Sequence, residues 1–337
     1  MTAPSDAPAP LDIAWCQLQG KRTGGDVYER MARAALSERY NLDFQPLDAV
    51  FGKRVRVLRV PETLYRLSRI RGRRDVWIRD FFSAVAMDRE RTIGRNMVMI
   101  HHIDFSTLPA WSRPVFSMME RAFYRKLRQV EAIVTECDYW RDHFLRLGFQ
   151  RVHKIYNCFD LADFEIDERD IPEFRRRYAL TGKPIVYLGN CQAAKGVGEA
   201  FEALKSEDYH LVTSGTPQVK IGARNLDLEY KDYLRLLKAS SVVVTMSKFK
   251  EGWCRTAHEA MLFKTPVIGS GEGGMAELLE GGGQIICRDF GDLPAKVRFA
   301  LEHPLLGDAG YAYAKDFTHV RFSKEWVDLV RRVATEA

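Results

Sequence analysis

No Cys-x-x-Cys pair occurs in the chain, and its six cysteines, Cys16, Cys137, Cys158, Cys191, Cys254 and Cys287, are scattered through mostly apolar contexts. That pattern reads as reduced, cytosolic thiols rather than a disulfide framework. No run approaches the roughly 18 apolar residues of a membrane span. Met1 to Pro10 is rich in Ala and Pro and has neither the basic start nor the apolar stretch of a secretory signal. A cytoplasmic protein is therefore expected. The histidines at 143, 153, 210, 258, 303 and 319 show no metal-ligand spacing, so no bound metal and no metal requirement are expected. Surface aromatics in an RNA-recognition pattern and zinc ligands are missing too, which argues against a nucleic-acid partner.

What the chain does have is ordinary globular composition, 46% hydrophobic and 28% charged, over 337 residues. That length suits two cores of roughly 150 residues with a cleft between them. The net charge of +6 is concentrated. Between residues 51 and 95, Lys53, Arg54, Arg56, Arg59, Arg66, Arg69, Arg71, Arg73, Arg74, Arg79, Arg89, Arg91 and Arg95 face only Glu62, Asp75, Asp80, Asp88 and Glu90. Such a stretch is either a solvated charged face or a contact for an anionic membrane surface or a phosphate-bearing acceptor.

The order of elements points to an α/β chain. Leu11 to Leu18 reads as a strand, Gln19 to Asp26 as a Gly-rich loop, and Val27 to Leu36 as a helix, the opening of a Rossmann-like unit. Further strands are expected at Val55 to Val60, Val76 to Ile78, Met97 to His101 and Ala132 to Thr135. Residues 161 to 172 are acidic and irregular, and Ile171-Pro172 is expected to interrupt any helix there, which puts the domain boundary nearby. A second alternation follows, with strands at Pro184 to Leu188, His210 to Thr213, Ser241 to Thr245, Thr265 to Ile268 and Gln284 to Cys287. Helices are expected at Gly198 to Leu204 and Tyr230 to Ala239. Near the end, Trp326, Leu329, Val330 and Val333 recur at helical spacing and require a surface to cover them.

The chemistry concentrates in Ser247 to Gly274. Glu251 and Glu259 are separated by seven residues. If a helix starts near Cys254, both carboxylates can face a ligand lying across its start. Ionised carboxylates accept hydrogen bonds from vicinal hydroxyls, as on a sugar or ribose. Free N–H groups at Gly252 to Cys254, and in the glycine loop Gly271 to Met275, suit phosphate. Together these describe a nucleotide-sugar site.

These residues resemble the donor signature of the retaining glycosyltransferases of family 4, on the GT-B fold (glycosyl transferases group 1). There a Glu-x7-Glu pair, a following Ala-Met, a Pro-Val-Ile strand and a Gly-Gly loop occur in this order. The likeness extends to Leu188 to Gly196, to Ile155-Tyr156-Asn157-Cys158-Phe159-Asp160, to Glu131 to Phe144 and to Gly24-Gly25. It implies two Rossmann-like domains facing across a cleft. The acceptor domain would be 1–165, joined by a C-terminal helix at 320–337, and the nucleotide-sugar donor domain 166–319. It also implies that Lys195 pairs with the donor diphosphate, Glu259 holds the ribose hydroxyls and Glu251 contacts the sugar. Backbone at Gly252, Trp253 and Cys254 would help, with Gly24 and Gly25 against the diphosphate from the other domain. His102 resembles the histidine that reaches the transferred sugar, with His101 the alternative register. No cofactor is implied beyond the nucleotide-sugar co-substrate. The acceptor would be a carbohydrate or lipid, with peripheral contact to the inner membrane face.

One departure stands out. Asn190 occupies a position where the family commonly has Arg, so a diphosphate cation is missing unless Arg255, Lys248 or Lys250 replaces it, or Asn190 serves as a neutral donor. Asn157 is expected to support a turn of positive φ, and Trp253 to pack beside the site. A nucleotide-sugar epimerase or hydrolase on the same fold, and a non-catalytic relative, are the alternative readings.

Overall fold

The computed structural model describes residues 10–18, 24–47, 49–50, 59–104, 106 and 112–336. The first half alternates β1 (Asp12–Leu18), α1 (Gly24–Ser37), β2 (Asn41–Leu47), α2 (Arg59–Ser68), β3 (Gly72–Arg79), α3 (Phe81–Val85), β4 (Thr92–Ile100), α4 (Arg113–Leu127), β5 (Ala132–Thr135), α5 (Asp138–Arg146) and β6 (Val152–Lys154). Its six strands lie in the order β2-β1-β3-β4-β5-β6, every pairing parallel. The second half contains α6 (Asp170–Arg177), β7 (Ile185–Asn190), α7 (Val197–Leu204), β8 (His210–Ser214), β9 (Arg224–Leu226), α8 (Tyr230–Ala239), β10 (Val242–Thr245), α9 (Arg255–Leu262), β11 (Val267–Gly269), α10 (Gly274–Gly281), β12 (Ile285–Ile286), α11 (Leu293–Glu302), α12 (Leu305–Ala314) and α13 (His319–Thr335). Its strands form a second parallel sheet, β12-β11-β10-β7-β8-β9.

Strands buried on both faces explain the continuous apolar runs: all four residues of Val242-Val243-Val244-Thr245 are buried. In each sheet the strand order reverses once, between β1 and β3 and between β7 and β10. At such a reversal the connecting loops diverge, leaving a crevice at the carboxyl ends of the strands where ligands bind. The site positions are thereby set.

Helix α13 lays Phe322, Trp326, Leu329, Val330 and Val333 against Ile13, Trp15 and Tyr28 of the first sheet and α1. Trp15 and Trp326 have ring centroids 5.5 Å apart. The two halves also touch directly. Asp138 N–H donates to Glu277 Oε2 at 2.7 Å, and the Trp140 indole donates to the Glu251 carbonyl at 3.2 Å.

Several expectations need correction. Helix α6 runs through Ile171-Pro172 instead of breaking there, because Pro172 sits in its first turn, where the missing N–H has no partner to lose. Of the strand expected at Val55 to Val60, residues 55–58 lie outside the described residues, and 59–60 begin α2. Strands β2, β6 and β9 are additional to those expected from the sequence. In β2, Pro46 argues against a strand, but β2 is at the sheet edge, where a proline's missing donor is tolerated.

The arginine-rich stretch proves heterogeneous. Arg79 is fully buried and donates to Asn96 Oδ1 and Thr92 Oγ1 at 2.8 and 2.9 Å, so it is structural. Arg74 pairs with Asp43, Arg89 with Glu131 and Arg91 with Asp88. Lys53, Arg54 and Arg56 lie outside the described residues.

Candidate functional site

A cleft of about 350 Å³ opens where the carboxyl ends of the two sheets meet. From the first half it is lined by Gly24, Gly25, His101, His102 and Glu136. From the second come Asn190, Gln192, Lys195, Ser247, Phe249, Glu251, Gly252, Trp253, Cys254 and Arg255, among others. The loops after β7 and β10, on either side of the strand-order reversal, supply most of the polar groups.

Lys195 Nζ lies 2.8 Å from Glu251 Oε1, and Ser247 Oγ donates to the same oxygen. Burial alone would lower the lysine's pKa, but Glu251 outweighs it and raises it, so the ammonium is permanent at pH 7. Gly196 makes this loop possible: it adopts φ 66°, and a Cβ there would stand 2.2 Å from the Met246 carbonyl oxygen. Glu259, in the second turn of α9, is buried and accepts from Tyr233 OH at 2.9 Å and from Arg255 Nη2 at 3.4 Å. Burial raises its pKa against the pull of Arg255.

The first half contributes a second charged cluster. His101 is held between two carboxylates, Nε2 at 2.9 Å from Glu29 Oε1 and Nδ1 hydrogen-bonded to Glu136. Burial disfavours the imidazolium, but Glu136 and Glu29 together push the pKa up to about 10, so the ring is a fixed cation. His102 is exposed in the cleft, its ring 5.3 Å from that of Phe249. Its crowded setting and the adjacent His101 charge lower its pKa, leaving it neutral at pH 7. The two histidines therefore differ in character.

Close backbone approach shapes the junction. A Cβ on Gly252 would fall 2.1 Å from the His101 carbonyl oxygen, and one on Gly25 would fall 2.8 Å from the His101 ring. The Gly271 to Met275 loop does not line the cleft as expected. Gly274 N–H instead donates to the Glu251 carbonyl at 2.8 Å, and a Cβ on Gly274 would meet the Gly252 oxygen at 1.9 Å. These glycines let one loop pack on another.

Asn157 is likewise not at positive φ. It is buried, its amide donating to Glu136 and its Oδ1 accepting from Arg255 Nη1 at 2.5 Å, so its value is as a bridge between the two halves. Of the three replacement cations weighed from sequence, Lys248 pairs with Glu199 at 2.6 Å and Lys250 faces a neighbouring cavity, while Arg255 lines the cleft. Trp253 packs against Tyr156 and Phe317, and its indole donates to His258 Nδ1 at 3.2 Å. Glu29 and Glu136 carried no sequence signal, because one lies in α1 and the other at the end of β5, and only the fold brings both to His101.

Residues 170–314 match the model of the family described as Glycosyl transferases group 1. Among curated proteins none matches the chain. Among solved structures it is similar to Anabaena Alr3699/HepE in complex with UDP-glucose, with 16% identity over 95% of this chain and 99% of that one and a TM-score of 0.75. It is also similar to sucrose-phosphate synthase from Thermosynechococcus elongatus, with 15% identity, 96% and 99% coverage and a TM-score of 0.77. A glycosyltransferase from Rickettsia africae gives 12%, 97%, 100% and 0.70. Two six-stranded α/β units facing across one cleft constitute the GT-B fold. The chain is a glycosyltransferase, with its group 1 domain in the second half.

Proposed function

We propose that the chain is a retaining, metal-independent glycosyltransferase that moves a sugar from a nucleotide diphosphate donor to a carbohydrate or lipid-linked acceptor, in polysaccharide or glycolipid assembly. The observation that carries this reading is a permanent cation in the cleft, Lys195, with Glu251 beside it, and the buried Glu259 reached from the cleft through Arg255 of its lining. Cation and hydroxyl-binding carboxylates are what the two ends of a nucleotide sugar require.

In this reading residues 1–165 with helix 320–337 form the acceptor domain, and residues 166–319 the donor domain. Lys195 and the backbone N–H groups of Gly252 to Cys254 stabilise the departing diphosphate, Glu259 holds the ribose, and Glu251 and His102 face the transferred sugar. Fixed charges and dipoles aimed at the leaving group do the work a metal ion does elsewhere. The acceptor attacks from the face the nucleotide leaves, so no carboxylate nucleophile is needed. UDP-glucose, bound in the Anabaena structure, is the first donor to try. The setting we infer is the cytoplasm, at the inner membrane face. No helix among the described residues is long and apolar enough to cross a membrane.

Calorimetric titration with UDP, GDP, ADP and their sugars, with and without chelator, tests the donor half. One nucleotide should bind saturably, be indifferent to chelator and be lost in Glu259→Ala. Absence of binding across the panel would remove the reading, and sugar release without any acceptor would make the chain a hydrolase instead.

A further inference from the structure

We propose that Arg255 is the second cation of the donor site and binds the diphosphate together with Lys195. This rests on the donor reading of the cleft. A nucleoside diphosphate carries more than one negative charge, and the cleft's other positive groups are already compensated. Lys195 is matched by Glu251 at 2.8 Å. His101 has a carboxylate on each ring nitrogen, so no N–H remains for a ligand. Asn190 is neutral, and its Oδ1 accepts from Ser214 Oγ at 3.2 Å. Among the described residues lining the cleft, Arg255 is the cation held at the longest distance by its carboxylate, Glu259 at 3.4 Å against 2.8 Å between Lys195 and Glu251.

Its setting is that of a held but incompletely neutralised guanidinium. Nη1 donates to Asn157 Oδ1 at 2.5 Å and to the Cys158 carbonyl at 3.4 Å, both neutral. The Nη2 contact to Glu259 Oε1 is long, at 3.4 Å. The guanidinium carbon stands 4.2 Å from the centroid of the Phe159 ring, which fixes its plane. A guanidinium has five N–H donors in a rigid fork, more than these three contacts occupy, and that fork matches phosphate oxygens. Gly24 lies alongside: a Cβ there would sit 3.2 Å from Arg255 Cδ, so a bare glycine leaves the side chain room beside the first half's loop. Arg255 thus stands between Glu259, read as the ribose carboxylate, and the Gly24-Gly25 turn, where a diphosphate would pass. Phe159 and Asn157 thereby acquire a purpose that packing alone does not explain.

The test compares a nucleoside diphosphate with its parent nucleoside on the full-length protein. UDP, GDP and ADP are titrated calorimetrically, and uridine, guanosine and adenosine by ligand-observed NMR, against wild type, Arg255→Leu, Arg255→Lys and the control Lys248→Ala. For the diphosphate that binds wild type, Arg255→Leu should weaken affinity about tenfold to a hundredfold, the loss expected for one charged hydrogen-bonded contact. The parent nucleoside should change less than about threefold, Arg255→Lys should recover part of the loss as a point charge, and Lys248→Ala should behave as wild type. Equal losses for diphosphate and nucleoside in Arg255→Leu, or no loss in either, overturn this inference and leave the donor reading intact. No binding of any diphosphate to wild type overturns both.

Discussion

Lys195 and Glu251, 56 residues apart in sequence, close into an ion pair at 2.8 Å on the floor of the cleft, with Ser247 donating to the same carboxylate oxygen. Each side chain is thus held ready by the other, and a bound donor must part them or share them. Removing the two partners should have opposite effects on nucleotide affinity. Lys195→Ala should weaken nucleoside diphosphate binding by about tenfold to a hundredfold, whereas Glu251→Gln should leave it unchanged or tighter while transfer falls by about a hundredfold. Calorimetry with initial-rate kinetics checks both, and parallel losses of affinity in the two variants would sink the idea.

His101 should not titrate in the neutral range. Its folded pKa, about 10, lies above the ordinary 6.5. A raised histidine pKa contributes stability that is full below about pH 6.5, declines above it, and is lost as pH rises through about 10. The ring signals of His101 in NMR spectra should therefore stay in the imidazolium position from pH 6 to 8, and His101→Gln should cost more stability at pH 6 than at pH 10. A titration midpoint near 6.5 would show that Glu29 and Glu136 do not hold the proton.

Gly274 admits no side chain. A Cβ would stand 1.9 Å from the Gly252 oxygen and 2.7 Å from Cys137 Sγ. Gly274→Ala should lower unfolding free energy by about 1–3 kcal/mol, the usual cost of overpacking, measured in urea. An unchanged midpoint would mean the two loops separate freely.

The last helix is anchored by Trp326, which is completely buried against Trp15 and Tyr28. Trp326→Ala should cost about 3–5 kcal/mol and Trp326→Phe appreciably less, because the cavity left is smaller. Equal costs would point to the indole N–H rather than to volume.

Glu259→Gln should erase preference for a ribose. If its ionised carboxylate accepts from ribose hydroxyls, wild type should favour a nucleotide over its 2′-deoxy analogue by several-fold, and the variant should bind both alike. Competition titrations measure this directly, and an undiminished preference in Glu259→Gln would assign the ribose contact elsewhere.

The linear chain determined a good deal. Runs such as Val242 to Thr245 and Ala132 to Thr135 read as buried parallel strands because both of their faces must be apolar. The Glu251 and Glu259 spacing around a helix start marked the segment whose residues Glu251 to Thr256 line the cleft, since they lie within one short stretch. The polar, proline-containing β2 and the three-residue pairings of β6 and β9 are different: they are strands only because a neighbour lends them hydrogen bonds. Pro172, likewise, is tolerated through its place in a first turn, which no dipeptide reveals. The tertiary structure alone decided which charges meet. Glu29, His101, Glu136, Asn157 and Arg255 come from α1, the end of β4, the end of β5, the crossing between halves and the start of α9. They form one chain of contacts because two parallel sheets present their carboxyl ends to the same cleft.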